Sequence, residues 1–137
     1  MILKELPYNK SMTIAQQLNV TTFPFIVKNK DGDKIYREDS DGYWAKHEYD
    51  AQGNIIRFEN SNGYWCKREY DAHSNEIYYE NSNGFWTKRE LDTQGNEIRY
   101  ENSYGYIKDN RPKIVELTLQ DIADKLSINL EQLRIKD

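Results

Sequence analysis

A single cysteine in 137 residues excludes an internal disulfide framework. The chain has no uninterrupted apolar run of about 18 residues, so no membrane span is expected. Its opening, MILKELPYNK, lacks the apolar core of a signal peptide. Together these absences predict a cytoplasmic protein. Two histidines and one cysteine are too few to make a metal set, and neither a metal nor a cofactor is expected. Basic charge is scarce in the middle of the chain: residues 38–100 hold 13 acidic and 7 basic side chains, whereas residues 1–37 are net +3. An acidic sheet lacks the basic footprint that phosphate-backbone binding needs, so nucleic acid is not an expected partner.

What the chain has is aromatic residues and a repeat. Hydrophobic residues make up only 37%, yet 12 of the 18 aromatics fall within residues 38–100, so Trp and Tyr must do most of the burying. In that stretch one 21-residue unit is written three times: EDSDGYWAKHEYDAQGNIIRF (38–58), ENSNGYWCKREYDAHSNEIYY (59–79) and ENSNGFWTKRELDTQGNEIRY (80–100). The second and third copies agree at 14 of 21 positions.

Each unit reads as two strands and two turns. Gly-Tyr/Phe-Trp-x-Lys-Arg/His-Glu-Tyr/Leu alternates and is rich in strand-forming aromatics. Asp50 to Asn54 suits a type I turn closed by a left-handed Gly53, giving a three-residue hairpin loop. Ile55 to Glu59 forms the return strand. Asn62-Gly63 signals a two-residue type I′ hairpin. Side chains alternate faces with period two, so an odd repeat with two loops of equal parity would invert its faces at every copy. A three-residue loop followed by a two-residue loop avoids the inversion.

On that register, one face carries Trp44, Lys46, Glu48, Ile56 and Phe58 with their equivalents. It predicts a structural ladder of Trp44, Trp65, Trp86, Ile56, Ile77 and Ile98, overlaid by Lys–Glu pairs. The other face carries Tyr43, Ala45, His47, Tyr49 and Arg57, and its equivalents vary between copies. Ser74 stands where the other copies have Gly53 and Gly95. A Ser in the left-handed position costs roughly 1 kcal/mol, so this turn is expected to be the weakest.

The fold expected is mainly β: an antiparallel meander of about eight strands built from 21-residue hairpin repeats, with short capping helices at both ends (α+β). Residues 1–21 make the N-terminal cap, with Pro7 as punctuation, Ser11 or Thr13 as helix cap and a helix over Ile14–Leu18 ending near Asn19. The array spans 22–106: a degenerate unit at 22–37, full units at 38–58, 59–79 and 80–100, and a partial one at 101–106. Within the degenerate unit Phe23–Val27 reads as a strand, with Pro24 pointing to an edge. Residues 107–137 form a strand-helix cap, with a strand at Ile114–Leu117 and a helix opened by Thr118 and Asp121. Ser127 to Asp137 reads as a turn followed by a short helix or by a strand at Leu133–Lys136. Leu117-Thr-Leu…Leu126-Ser-Ile128 echoes Met12-Thr-Ile…Leu18-Asn-Val20, which suggests related caps.

The repeat supplies its own control for chemistry, because a catalytic residue should stand apart from its equivalents. Cys66 replaces Ala45 and Thr87, and reads as a small strand residue without a His/Asp constellation around it. His47 replaces Arg68 and Arg89, and His73 replaces Gln52 and Gln94, as polar surface substitutions. Asp39-x-Asp41-Gly42 and Asp31-Gly-Asp33 share fragments of calcium loops but lack the remaining ligand positions, and read as turn chemistry. Glu48, Glu69 and Glu90 each have a Lys two residues away and read as a charge ladder. Residues 118–133 have a loose helix-turn-helix outline, but the second helix is too short to read a groove. No catalytic residue is assigned, and the chain is not expected to be an enzyme.

Tyr49-Asp50-Ala-Gln-Gly53-Asn54, with copies at Tyr70-Asp71 and Leu91-Asp92, resembles the YD (Rhs-type) repeat, whose units are also about 21 residues and form β-hairpin strips. The likeness covers roughly residues 22–106, and Leu91 departs from the Tyr of the motif. The pattern as a whole, from its Met-Thr-Ile-Ala opening to its Leu-Arg-Ile-Lys ending, is similar to small accessory proteins of phages and prophages that vary in repeat number. That resemblance implies a role in the contest between mobile element and host, such as inhibiting a defence complex in the host cytoplasm.

The function expected is a non-enzymatic protein-binding module using Tyr43, Tyr64, Arg68, Tyr70, Tyr78 and Arg89, or an exposed strand edge. A free edge also leaves room for a homodimer. The alternatives are glycan binding through the Trp and Tyr rows, as in the Trp/Tyr-rich repeats of cell-wall-binding modules, and a purely structural, self-assembling repeat.

Overall fold

A computed structural model describes residues 12–136. The expected lead-in at 1–10, with Pro7, and the alternative cap Ser11 lie outside the described residues.

Every hairpin turns on the same pair of backbone bonds. At Asp50 the backbone N–H donates to the Asn54 carbonyl (2.9 Å), the Gly53 N–H returns to the Asp50 carbonyl (3.1 Å), and Gly53 sits at φ +85°. The Asp50 carboxylate accepts the N–H groups of Gln52 and Asn54, both at 2.9 Å. The turn after Asn60 repeats this geometry: its N–H donates to the Tyr64 carbonyl (3.0 Å), its side-chain oxygen accepts the Asn62 and Tyr64 N–H groups, and Gly63 has φ +81°. Asn62 does not take positive φ. The expected two-residue type I′ turn is therefore corrected to a second three-residue loop, because the Asn60 amide does for this turn what the Asp50 carboxylate does for the other.

Two three-residue loops should invert the faces at each copy. They do not, because the return strand carries an extra residue. Pairing passes from Glu48↔Arg57 to Tyr49↔Ile55 and leaves Ile56 over; Ile77 and Ile98 are left over in the same way, as is Ile35 in the degenerate unit. The Ile shared by every copy is thus a β-bulge residue, and the bulge restores the parity.

The result is one nine-stranded antiparallel sheet in sequential order. Its strands are β1 Phe25–Lys28, β2 Lys34–Glu38, β3 Trp44–Tyr49, β4 Ile55–Asn60, β5 Trp65–Tyr70, β6 Glu76–Asn81, β7 Trp86–Leu91, β8 Glu97–Asn102 and β9 Ile107–Asp109. The degenerate unit forms the first hairpin, and its strand β1 is an edge; the strand begins at Phe25, so Phe23 and Pro24 precede it and are not part of it. The partial copy adds one strand more than expected, the short edge β9.

Two contacts recur between successive units. Ser61 donates its N–H to the Trp44 carbonyl (3.0 Å) while its hydroxyl accepts the Trp44 N–H (3.2 Å); Ser82 with Trp65 and Ser103 with Trp86 do the same. At the opposite margin, the Tyr of the Tyr-Asp pair reaches back to a carbonyl of the preceding unit: Tyr49 to Lys34 (2.8 Å) and Tyr70 to Ile55 (3.2 Å).

Helix α1 (Ile14–Gln17) is capped by Thr13, whose hydroxyl accepts the Gln16 N–H, and is followed by Asn19 at φ +56°. Helix α2 (Leu119–Leu126) is capped by Thr118 with Asp121, and is followed by Ser127 at φ +54°. Each ends with a matching bond, Val20 N–H to the Ala15 carbonyl (2.8 Å) and Ile128 N–H to the Ala123 carbonyl (3.1 Å), and both alanines are fully buried. The echo between the two ends is one helix-ending motif used twice. A short 3-10 turn, Leu130–Gln132, follows α2. Neither Ile114–Leu117 nor Leu133–Lys136 is a strand: both fall beyond β9 and have no ladder partner.

Candidate functional site

The bulges decide which side chains share a face. Direct pairing of Lys46 with Glu59, Glu48 with Arg57 and Glu59 with Trp65 puts Arg57 and Glu59 on the Trp face. Phe58 pairs with His47 and Cys66 and lies on the other face, and Ile56, two residues before it, shares that side. The expected ladder therefore splits. Trp44, Trp65 and Trp86 stay together, while Ile56, Ile77 and Ile98 move to the opposite face with Phe58, Tyr79 and Tyr100. Arg57, Tyr78 and Arg99 move to the Trp face. Both corrections come from the same one-residue shift.

On the Trp face each ring carries the ammonium of the Lys two residues on, at 5.5 Å for Lys46, 5.4 Å for Lys67 and 5.5 Å for Lys88. Between the rings run Arg57 with Glu59 (3.7 Å), Tyr78 donating to Glu80 (3.2 Å) and Arg99 with Glu101 (2.7 Å). Lys46, Lys67 and Lys88 stand opposite Glu59, Glu80 and Glu101 across the ladder. This surface presents ammonium and carboxylate groups over half-buried rings.

The opposite face is more aromatic. A row runs from Phe58 to Tyr64 (6.1 Å between centroids), through a 2.9 Å hydrogen bond between the Tyr64 and Tyr79 hydroxyls, then Tyr79 to Phe85 (6.2 Å) and Phe85 to Tyr104 (5.4 Å). Guanidinium groups lie over rings of this face, Arg68 on Tyr79 at 5.3 Å and Arg89 on Tyr100 at 5.8 Å. Glu76 lies 3.2 Å from Arg68 and 3.8 Å from Arg89, which also lies 3.4 Å from Glu97. Beneath the row the small residues Ala45, Cys66 and Thr87 are buried. The hydroxyl bond from Tyr79 pushes the Tyr64 phenol up to about 12.

Of the expected contact residues, Tyr43, Tyr64, Arg68, Tyr70 and Arg89 share this face. Tyr78 does not, and the Tyr70 hydroxyl is engaged by the Ile55 carbonyl. Sequence reasoning missed Tyr79 and Tyr100, the rings beneath the arginines, because it assigned them to the Trp side. His47 takes the corresponding place on Phe58, ring to ring at 5.1 Å, and burial, with Lys34 nearby, lowers its pKa.

The remaining candidates resolve into local structure. Cys66 is buried and reduced. His73 is a turn residue whose N–H is held by Asp71. Asp31 and Asp33 lie in a turn capped by Asn29, Asp41 accepts the Tyr43 N–H, and Asp39 pairs with Arg37 at 2.8 Å. Glu48, Glu69 and Glu90 are exposed. A groove of about 730 Å³ runs along the loop margin past Asn29, Asp33, His47 and Asp50, and two of its five carboxylates, Asp33 and Asp50, are tied to the amides of Asn29 and Asn54. Among the described residues no helix is long and apolar enough to cross a membrane.

No protein-family model matches this chain, and comparison with curated proteins gives no match.

Proposed function

We propose that the chain is a non-enzymatic protein-binding module, of the kind that a phage or other mobile element uses to inhibit a host defence complex in the host cytoplasm. The observation that supports it is the hydroxyl-bonded pair Tyr64 and Tyr79, with Arg68 over Tyr79 and Arg89 over the neighbouring Tyr100. Tyr and Arg are the side chains that dominate protein hot spots, and here their rotamers are held in advance by stacking and by the Tyr64–Tyr79 bond. Held side chains lose less entropy on association. Glycan stacking on the Trp rows is the weaker reading, because each Trp face carries a Lys ammonium where a sugar would need bare ring.

The test is co-elution of the full chain with a host protein, by size-exclusion chromatography with light scattering. A stoichiometric complex lost on Tyr64→Ala with Arg68→Ala, but kept on Glu48→Ala, supports the module. A chain that elutes unchanged through every host fraction and binds a glycan array instead overturns it.

A further inference from the structure

Along the Trp face one repeat position carries a side chain followed two residues on by Glu: Tyr36/Glu38, Arg57/Glu59, Tyr78/Glu80 and Arg99/Glu101. In the two Arg copies the guanidinium pairs with the carboxylate. In the first Tyr copy, the Tyr36 hydroxyl donates to Glu38 Oε2 at 2.9 Å, and the same oxygen accepts the Ala15 backbone N–H at 3.1 Å. Ala15 lies in the first turn of α1, where helix N–H groups have no partner within the helix. Tyr36, Glu38 and Ala15 are all buried as a result. The Tyr–Glu pair is thus a platform on which a helix start sits, with Trp44 stacked on Tyr36 at 6.3 Å and opposite Glu38.

The second Tyr copy repeats the platform without the helix. Tyr78 donates to Glu80 Oε2 at 3.2 Å, and Trp86 stands opposite Glu80 as Trp44 stands opposite Glu38. Both residues are half-buried, and among the described residues no backbone N–H donates to Glu80.

We propose that Tyr78, Glu80 and Trp86 receive the first turn of a helix from a protein partner, in the manner in which Tyr36, Glu38 and Trp44 receive α1. The chemistry required is a helix start with a small residue at the contact and no carboxylate in its first turn, since its free N–H must meet Glu80. This chain's α2 does not fit: it has Gln120 where α1 has Ala15, and Asp121 in its first turn would oppose Glu80. The rim also differs from the first platform. Lys67 lies opposite Glu80 and Glu69 opposite Tyr78, where Phe25 and Val27 flank the first pair. A charged rim suits an association that forms and dissociates rather than a permanent core. The proposal rests on the protein-binding reading and assigns a second surface on the face opposite Arg68.

The test uses the isotope-labelled full chain and a synthetic peptide carrying Met-Thr-Ile-Ala-Gln-Gln-Leu followed by an alanine- and lysine-rich helical tail. Saturable NMR shifts are expected at the Trp86 indole and the amides of Tyr78, Glu80 and Lys88. Binding should be roughly tenfold weaker in Tyr78→Arg, which converts the platform to the Arg–Glu pair that the neighbouring units already fold with. Replacing the peptide's Ala by Glu should also weaken it. No shift at these positions, or shifts that Tyr78→Arg leaves unchanged, overturn the proposal. Shifts centred on Trp44 would mean exchange with α1 and also overturn it. A concentration-dependent dimer that shifts Trp86 without peptide would overturn it in favour of a second copy. Because the peptide replaces the natural partner, these outcomes are independent of whether the host complex is found.

Discussion

Tyr70 donates its hydroxyl to the Ile55 carbonyl at 3.2 Å across 15 residues, tying one unit to the unit before it. Tyr49 does the same to Lys34 at 2.8 Å, and Leu91, at the next equivalent position, has no hydroxyl to offer. Leu91→Tyr should restore the missing tie to the Glu76 carbonyl and raise stability by about 0.5–1 kcal/mol. Tyr70→Phe should lower it by about 1 kcal/mol. Urea unfolding at neutral pH reads both; a Leu91→Tyr chain less stable than the parent would show that the Tyr contributes by packing alone.

Ser74 holds φ +63° where its counterparts are Gly53 and Gly95. Its hydroxyl donates to Gln52 (3.1 Å) and accepts from Asn54 (2.9 Å), recovering part of the strain at an exposed site. Ser74→Gly should therefore gain only about 0.5 kcal/mol, while Gly53→Ala should lose about 1 kcal/mol. Thermal melts of the two variants should move in opposite directions.

Five phenols, Tyr36, Tyr49, Tyr64, Tyr70 and Tyr78, have pKa values raised in the folded chain. Burial is the main cause for all but Tyr64, where the Tyr79 hydroxyl bond is. Unfolded, they ionise near pH 10. Above that pH the unfolded chain holds fewer protons than the folded one, so stability is full below about pH 10 and falls as pH rises beyond it. Asp50, Asp71 and Asp92 act in the opposite sense. Bonds from Asn54, Asn75 and Asn96 lower their pKa values, so their contribution is present above about pH 4 and lost as pH falls. Melting temperature against pH should be a plateau with two shoulders, and Tyr36→Phe should flatten the alkaline one.

Deleting Ile77 alone removes a bulge residue and inverts every face on one side of the cut, which should abolish cooperative folding. Excising residues 59–79 together removes a loop pair with its bulge and should leave a folded sheet two strands shorter. Circular dichroism on the two deletions separates these outcomes, and a folded Ile77 deletion would disprove the parity argument.

The meander, its worn first hairpin and both capped helices were legible because they rest on short-range signals: a 21-residue period, Gly at fixed offsets, and Thr three residues before Gln16 or Asp121. The faces of the return strands were not. Asn62-Gly63 invites a type I′ turn when taken as a dipeptide, but Asn60-x-x-Gly63 has the same spacing as Asp50-x-x-Gly53. That spacing was the available sign that both turns are of one kind. The Ile left over in each bulge looked like a core residue because nothing in a single strand marks the place where pairing skips. Ile114–Leu117 has strand composition, yet composition does not provide a neighbouring edge to pair with.

Every strand in this sheet pairs only with its neighbours in the chain. Such a topology closes short loops throughout and no long one, so the entropic barrier to forming it is low and growth can start at any hairpin. Folding should be fast for a β protein, and it should proceed as a zipper. Opening should begin where the zipper ends, at the three-residue strand β9, and move inward two strands at a time. Amide protons should then exchange in a gradient, fastest at Ile107–Asp109 and slowest in the central unit around Cys66, in place of one exchange rate for the whole sheet.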